Sequence, residues 1–348
     1  MSVPGSATHS VMRSHFAPIE CLFCPRSMPL PCVVLGRILW DNGDERVAAA
    51  DASGRQRGRK ERNMNRRDEV FAKVETIPAL PAAAGRMVML LRDPDVDIAE
   101  VIRTIEYDPS LTTNMLRLAN SAYFAGPRSV TSLRDAVVRL GFNRIFQLVI
   151  TSAILPVARQ AVQGYDLPPG MLLEHSIAVA IGAEELAAML KLKTPPETFT
   201  AGLLHDLGKV ILGTFLEVDA KPIVDLAFQE KIPFEQAEAR VLGIDHAEAG
   251  AALLERWNLP TTIIQVVRWH HQPESYQGEP VVMDLVHAAD HLSLATGVGA
   301  GVDGLNYHPS DEVMARLDLK DAVAEAVLCK MLDGVEGLRD VIGTPVRR

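Results

Sequence analysis

Aromatic residues make up only 5% of this 348-residue chain, and cysteines number four, three of them before residue 33. So few cysteines exclude a disulfide scaffold for a chain of this size, and a reducing, cytoplasmic setting is expected. No apolar run approaches the ~20 residues that a bilayer demands. The longest candidate, Ile145–Ala158, contains Pro156 and reads as a core helix. The apolar stretch Val33–Trp40 is too short and too late for a secretory leader, so no membrane partner is expected. An excess of positive charge is lacking as well, with a net charge of −9. That balance is uneven: residues 1–63 carry 9 Lys and Arg against 6 Asp and Glu, whereas the remainder carries 26 against 38. An acidic body repels polyphosphate backbones, so nucleic acid is not expected as a direct partner. Period-two alternation is nearly missing, which removes β architectures.

What the chain does have is Leu, Ala, Val and Ile in helical register, and the expected class is all-α. Residues 1–63 stand apart. Their stretch VAAADASGRQRGRKERN is small, Gly-rich, basic and without helical period, and reads as a disordered or non-native extension. Met64 opens MNRRDEVFAKV, which looks like a natural start. Within the extension, His15, Cys21, Cys24 and Cys32 form a weak zinc candidate, because prolines interrupt any compact tetrahedral site. Residues 64–165 read as a first helical block. Asp97–Glu100 and Ser132–Asp135 resemble capping boxes, Asp108-Pro109 an N-cap with proline behind it, and Gly141 a helix terminator. LTTNMLRLANSAYF spaces Leu111, Met115, Leu118 and Ala122 along one helical face. The segment GYDLPPG (164–170) reads as the boundary with a second block over 166–300, followed by a helical tail over 301–348. In that second block Asp245 is an expected N-cap to which Glu248 would reach back.

The second block holds His175, His205, Asp206, His246, His270, His271 and Asp290, drawn from different helices or adjacent pairs. A helical bundle builds an internal metal site in this way, each helix supplying one or two inward ligands. Imidazoles mixed with carboxylates suit iron, manganese or zinc. Two such ions could share Asp206 as a bridge, generate hydroxide at neutral pH and clamp a phosphate. Lys209, one turn beyond His205, is a candidate to meet a phosphate oxygen. Each histidine alone is more often a hydrogen-bonded core residue; it is the ordered set that points to a metal. His287 and His291, one turn apart, read as surface or supporting residues and not as ligands.

The series H…HD…H…HH…D resembles the HD superfamily of metal-dependent phosphohydrolases, in the spacing of its HD-GYP branch. The stretch 70–295 is more similar still to the HDOD family, the HD-related output domain of bacterial signalling proteins. The carrying segments are IPALPAAAGRMVMLLRDPDVDIAEVIRTIEYDPSLTTNMLRLANSAYFAG, VTSLRDAVVRLGFNRI, HSIAVA, AGLLHDLGKVIL, LGIDHAEAGAALLERWNLP, HHQP and VHAAD. The resemblance implies an N-terminal helical HDOD subdomain over 64–165 packed on an HD-like helical bundle. It also implies metal-ligand roles for His175, His205, Asp206 and Asp290, with His246, His270 and His271 matching the additional histidines of the HD-GYP branch. Two departures stand out. Gln272 follows the His pair where HD-GYP proteins carry Glu, and no GYP loop is present. Met171 occupies the place, one turn before His175, of a glutamate that resembles a hallmark of three-metal sites. One or two ions are therefore expected rather than three.

Three readings of function stay open at this level. The chain could be a regulatory module that docks a kinase, response regulator or second-messenger enzyme through its N-terminal subdomain. It could instead be a phosphohydrolase or phosphodiesterase acting on a nucleotide or small phosphate ester, with Asp206 and Lys209 in catalytic roles. Or it could bind metal and a nucleotide as a sensor without turnover.

Overall fold

The computed structural model describes residues 55–90, 97–193, 195–298, 301–304 and 306–342. The candidate ligands His15, Cys21, Cys24 and Cys32 lie outside the described residues. Among the described residues fourteen α-helices follow one another: α1 (Arg55–Thr76), α2 (Ala82–Leu90), α3 (Ile98–Glu106), α4 (Pro109–Ala119), α5 (Leu133–Ala158), α6 (Met171–Met189), α7 (Thr198–Leu204), α8 (Lys209–Glu230), α9 (Phe234–Leu242), α10 (His246–Arg256), α11 (Thr261–Trp269), α12 (Val281–Ala295), α13 (Asp311–Leu317) and α14 (Asp321–Ile342). No strand occurs among the described residues; the only β feature is an isolated bridge between Val162 and Leu167.

Helix starts follow the local chemistry. Asp97 accepts from the Ala99 amide, Asp108 from Leu111 with Pro109 behind it, Ser132 from Asp135, and Asp245 from Glu248. Each of these side chains satisfies an amide that the first helical turn leaves without a partner. Gly141, at φ 76° and ψ 168°, breaks α5 where a terminator was expected. Helix α5 is long and apolar enough to cross a bilayer, but 56% of its apolar window is buried among the other helices. That burial, with the break and Pro156, is what a core helix shows.

Three expectations are corrected. Helix α1 begins at Arg55, so residues 55–63 belong to a helix. Arg, Lys, Gln and Glu are good helix formers even where no apolar period is present. The Glu248 carboxylate does not return to its own N-cap. It meets the Arg67 guanidinium of α1 in a two-pronged pair of 2.7 and 2.5 Å. A fixed guanidinium fork outcompetes a single amide for a carboxylate. Helix α4 stops at Ala119, leaving Ala122 exposed beyond it, because the Asn120 side chain turns to bond Val130. The segment at 164–170, read as the boundary between the blocks, is packed into the core at Tyr165. Tyr165 is fully buried, and its ring packs on Phe234 and beside His246.

Helix α6 is the axis of the second block, packed by α7, α12 and α14. Small residues permit this: a β-carbon at Gly182 would sit 2.8 Å from the Met331 sulfur of α14. The helix that opens the first block, α1, packs instead on α8, α9 and α10. It is held there by the Arg67–Glu248 pair and by Trp257, whose indole donates to the Pro78 carbonyl at 3.1 Å.

Candidate metal centre

The candidate ligands come from five places around α6. His175 projects from α6 itself. His205 caps the C-terminus of α7, and Asp206 follows in the tight turn to α8. His246 is the first residue of α10, His270 caps the C-terminus of α11 with His271 behind it, and Asp290 lies on α12. The turn carrying His205 and Asp206 closes only because of Gly208. A β-carbon there would fall on the His246 carbonyl oxygen and 2.6 Å from the Gly250 amide nitrogen. The AGLLHDLGK stretch can thus approach α10 backbone to backbone.

All seven side chains converge. Asp206 stands between two groups and offers one carboxylate oxygen to each. Its Oδ2 lies 3.3 Å from His175 Nε2 and 3.4 Å from His205 Nε2. Its Oδ1 lies 3.4 Å from His246 Nε2 and 3.7 Å from His270 Nε2. Asp290 Oδ1 completes the first group, 3.1 Å from His175 Nε2 and 3.6 Å from His205 Nε2. His271 completes the second, its Nε2 2.8 Å from that of His246. Ligand atoms of Asp206, His246, His270 and His271 all lie within 4.8 Å of one another, as do those of His175, His205 and Asp206.

The far side of four rings is already committed. Nδ1 of His205 bonds the Gly202 carbonyl at 2.7 Å, and Nδ1 of His270 bonds the Val267 carbonyl at 2.7 Å. Both carbonyls lie three residues back in the last turn of a helix, where acceptors are left over. Nδ1 of His175 meets Ser293 Oγ at 3.1 Å and the Val298 carbonyl at 3.2 Å. Nδ1 of His246 meets Glu238 Oε2 at 2.7 Å. A carbonyl or carboxylate only accepts, so Nδ1 must carry the proton, and the lone pair of each neutral ring then faces inward at Nε2. Nε2 of His175, His205 and His270 and Oδ1 of Asp206 are buried without a hydrogen-bond partner. Lone pairs of nitrogen and oxygen 3.1–3.7 Å apart repel unless a cation lies between them. A metal ion fits this donor set.

Without metal, protons must supply that charge. Burial depresses the His205 imidazolium, but Asp206 and Asp290 outweigh it and raise its pKa to about 10. His175 and His246 are raised in the same way, against burial, by Asp206 with Asp290 and by Glu238 with Asp206 respectively. His270 goes the other way, lowered to about 4 by burial and by its cationic neighbours. Metal uptake therefore releases protons and weakens as pH falls.

Lys209 does not point into open space. It is buried, and its ammonium donates to Asp206 Oδ2 and to Asp303 Oδ2, with the Tyr165 ring 5.8 Å away. Asp303, Tyr307 and Ser310 thus lie along one side of the centre. Tyr307 lies against the His271 ring at 5.1 Å, and the Ser310 amide donates to His287 Nε2 at 2.8 Å. His287 is buried, not surface: its Nδ1 donates to the His270 carbonyl at 2.6 Å and steadies the His270–His271 pair from behind. His291 is half-buried beside Tyr307 and is not in the cluster. A cleft of about 170 Å³ lies beside His271, lined also by Asp245, Ala247, Glu248, Arg268, Trp269 and Gln272.

Sequence reasoning missed Glu238, Tyr165, Asp303 and Tyr307. Glu238 left a signal, since it shares the buried face of α9 with Phe234, Ala237 and Leu242, and a carboxylate on an apolar stripe needs a partner. Asp303 and Tyr307 come from a segment with no period and left none.

Comparison with known proteins agrees with this architecture. An uncharacterized protein of Treponema pallidum is 27% identical over 218 residues, 59% of this chain but only 40% of the relative's length. The chain therefore spans well under half of that curated relative. Among solved structures, an HDOD domain protein of unknown function from Geobacter sulfurreducens is 29% identical with a TM-score of 0.60, covering 81% of this chain and 94% of that one. A protein of Shewanella amazonensis, provisionally named a phosphohydrolase, is 25% identical with a TM-score of 0.56 over 77% and 97% of the two chains. The sequence profile of the HDOD domain matches residues 77–273, more than half of the chain. With the helical fold and the ordered His–Asp cluster, that match makes the chain a member of the HDOD family.

Proposed function

We propose that this protein is a regulatory HDOD module that holds an HD-type centre of iron, manganese or zinc and works by docking a signalling partner rather than by turnover. The observation that carries this reading is the closure of the centre. Six of the seven ligands are at most 2% exposed. Lys209, the side chain expected to meet a phosphate, is already neutralised by Asp206 and Asp303. When bound, such ions would supply Lewis-acid polarisation and structural cross-linking of the helices. His175, His205, Asp206 and Asp290 would hold one, and His246, His270, His271 and Asp206 the other. The N-terminal helices supply a candidate docking face. Met89, Tyr107 and Val138, three of the four exposed large hydrophobics among the described residues, lie there.

A second reading is phosphohydrolase or phosphodiesterase activity on a nucleotide or small phosphate ester. It is favoured by the complete ligand series and by the cleft beside His271, where Arg268, paired with Glu255 at 2.8 Å, supplies a cation. One experiment separates the two. Metal-loaded protein is assayed against nucleotides, cyclic dinucleotides and aryl phosphates beside the Asp206→Ala variant. The regulatory reading expects equal background rates; turnover that disappears in Asp206→Ala would replace it with the hydrolase.

A further inference from the structure

The two groups of ligands around Asp206 are unequal in the number of carboxylates they contain. The first contains two carboxylates, Asp206 and Asp290. The second contains three imidazoles and the shared Asp206, with Asp290 reaching only its His270, in a set with His205. The acceptors behind the rings are unequal in the compensating sense. His175, His205 and His270 rest on neutral oxygens, those of Ser293, Val298, Gly202 and Val267. Only His246, in the carboxylate-poor group, rests on a carboxylate, that of Glu238.

Glu238 is fully buried, and every contact fixes its orientation. Oε2 accepts from His246 twice, from Nδ1 at 2.7 Å and from the backbone amide at 3.0 Å. Oε1 accepts from the hydroxyl of Tyr165, which is itself fully buried. The amide bond also occupies the first free N–H of α10, so the carboxylate sits at the positive end of that helix. We infer that Glu238, held by Tyr165, is the positioning residue for a second metal ion: it locks His246 with Nε2 turned inward and lends that imidazole the negative charge its ligand group lacks. A ligating histidine backed by a carboxylate is a stronger donor than one backed by a carbonyl. The inference rests on the metal-site reading above and assigns roles that reading leaves blank.

The test is metal titration of chelator-stripped full-length protein with Co²⁺, following the visible absorption of the ion and bound metal by elemental analysis. Wild type is expected to take up two ions in resolvable steps. Glu238→Gln, nearly identical in shape, should keep the first step and weaken the second by about 10- to 100-fold, the range for lost partners behind a ligand. Tyr165→Phe should shift the second step in the same direction by less. Ser293→Ala, behind His175, should weaken the first step instead. Far-UV circular dichroism of each stripped variant checks that it is folded, and Glu238→Asp serves as the fallback if Glu238→Gln is not. Equal weakening of both steps, or no change in either, would overturn the inference, as would a wild type that binds a single ion. A wild type that binds none would instead overturn the metal-site reading beneath it.

Discussion

Replacing Lys209 by Met tests whether the charge balance of the centre is as tight as the contacts imply. Met keeps most of the aliphatic stem and deletes the ammonium. In the metal-free protein that ammonium is bonded to Asp206 and Asp303, with its side chain 4% exposed and theirs 1% and 6%. Burial works against its charge, and the two carboxylates more than compensate, so its pKa is raised. Removing one partner from a buried pair strands the other and costs about 3–5 kcal/mol. An exposed pair would cost about 0–1 kcal/mol. Urea unfolding at pH 7 in chelator should therefore show Lys209→Met losing several kcal/mol. With Mn²⁺ or Zn²⁺ present the loss should shrink, because a divalent ion takes over the charge beside Asp206 and leaves only Asp303 without its partner. A loss below about 1 kcal/mol in chelator would refute the buried pairing. The same loss with and without metal would mean that ammonium and metal do not share Asp206.

Two further substitutions probe the scaffold. Gly208→Ala should lose at least the ~1–3 kcal/mol typical of overpacking, because its β-carbon meets backbone that has nowhere to go. Gly85→Ala in α2, with nothing within 4 Å, should be neutral or stabilising by up to ~1 kcal/mol; thermal melts of the two side by side check this. Glu235 carries a pH signature: burial, only partly offset by its own backbone and by His246, raises its pKa from 4.5 to about 7. A raised acid favours the folded state while protonated. Its contribution is full below pH 4.5 and is lost as pH rises through 7, roughly 3 kcal/mol in all at about 1.4 kcal/mol per unit. Glu235→Gln should flatten the stability profile across that window; a profile unchanged in slope would contradict the assignment.

Most of the helical frame was legible because it rests on local rules. Asp97, Asp108, Ser132 and Asp245 cap the helices they precede. Gly141 breaks α5 with a positive φ. The seven candidate ligands were legible for another reason: imidazoles and carboxylates recurring at helix ends and inward positions are costly to bury unless they serve one another. What stayed hidden depends on contacts distant in sequence. Glu248 resembled half of a capping box until Arg67, 181 residues away, claimed it. Lys209 looked free to meet a phosphate until Asp303, 94 residues on, reached it. Neither partner belongs to a periodic pattern with its mate, so composition and spacing carry no trace of the pairing. Tyr165 was hidden by its company: GYDLPPG has the makeup of a linker, yet the tyrosine hydroxyl finds Glu238 and its ring fills the core beside His246.

The most direct test of the central claim is elemental analysis of protein purified without chelator or affinity metal, beside Asp206→Ala. Asp206 faces both ligand groups, so the account predicts up to two equivalents of iron, manganese or zinc in wild type and loss of both in the variant. A wild type that is folded, metal-free and indifferent to added metal would contradict it, as would unchanged metal content in Asp206→Ala.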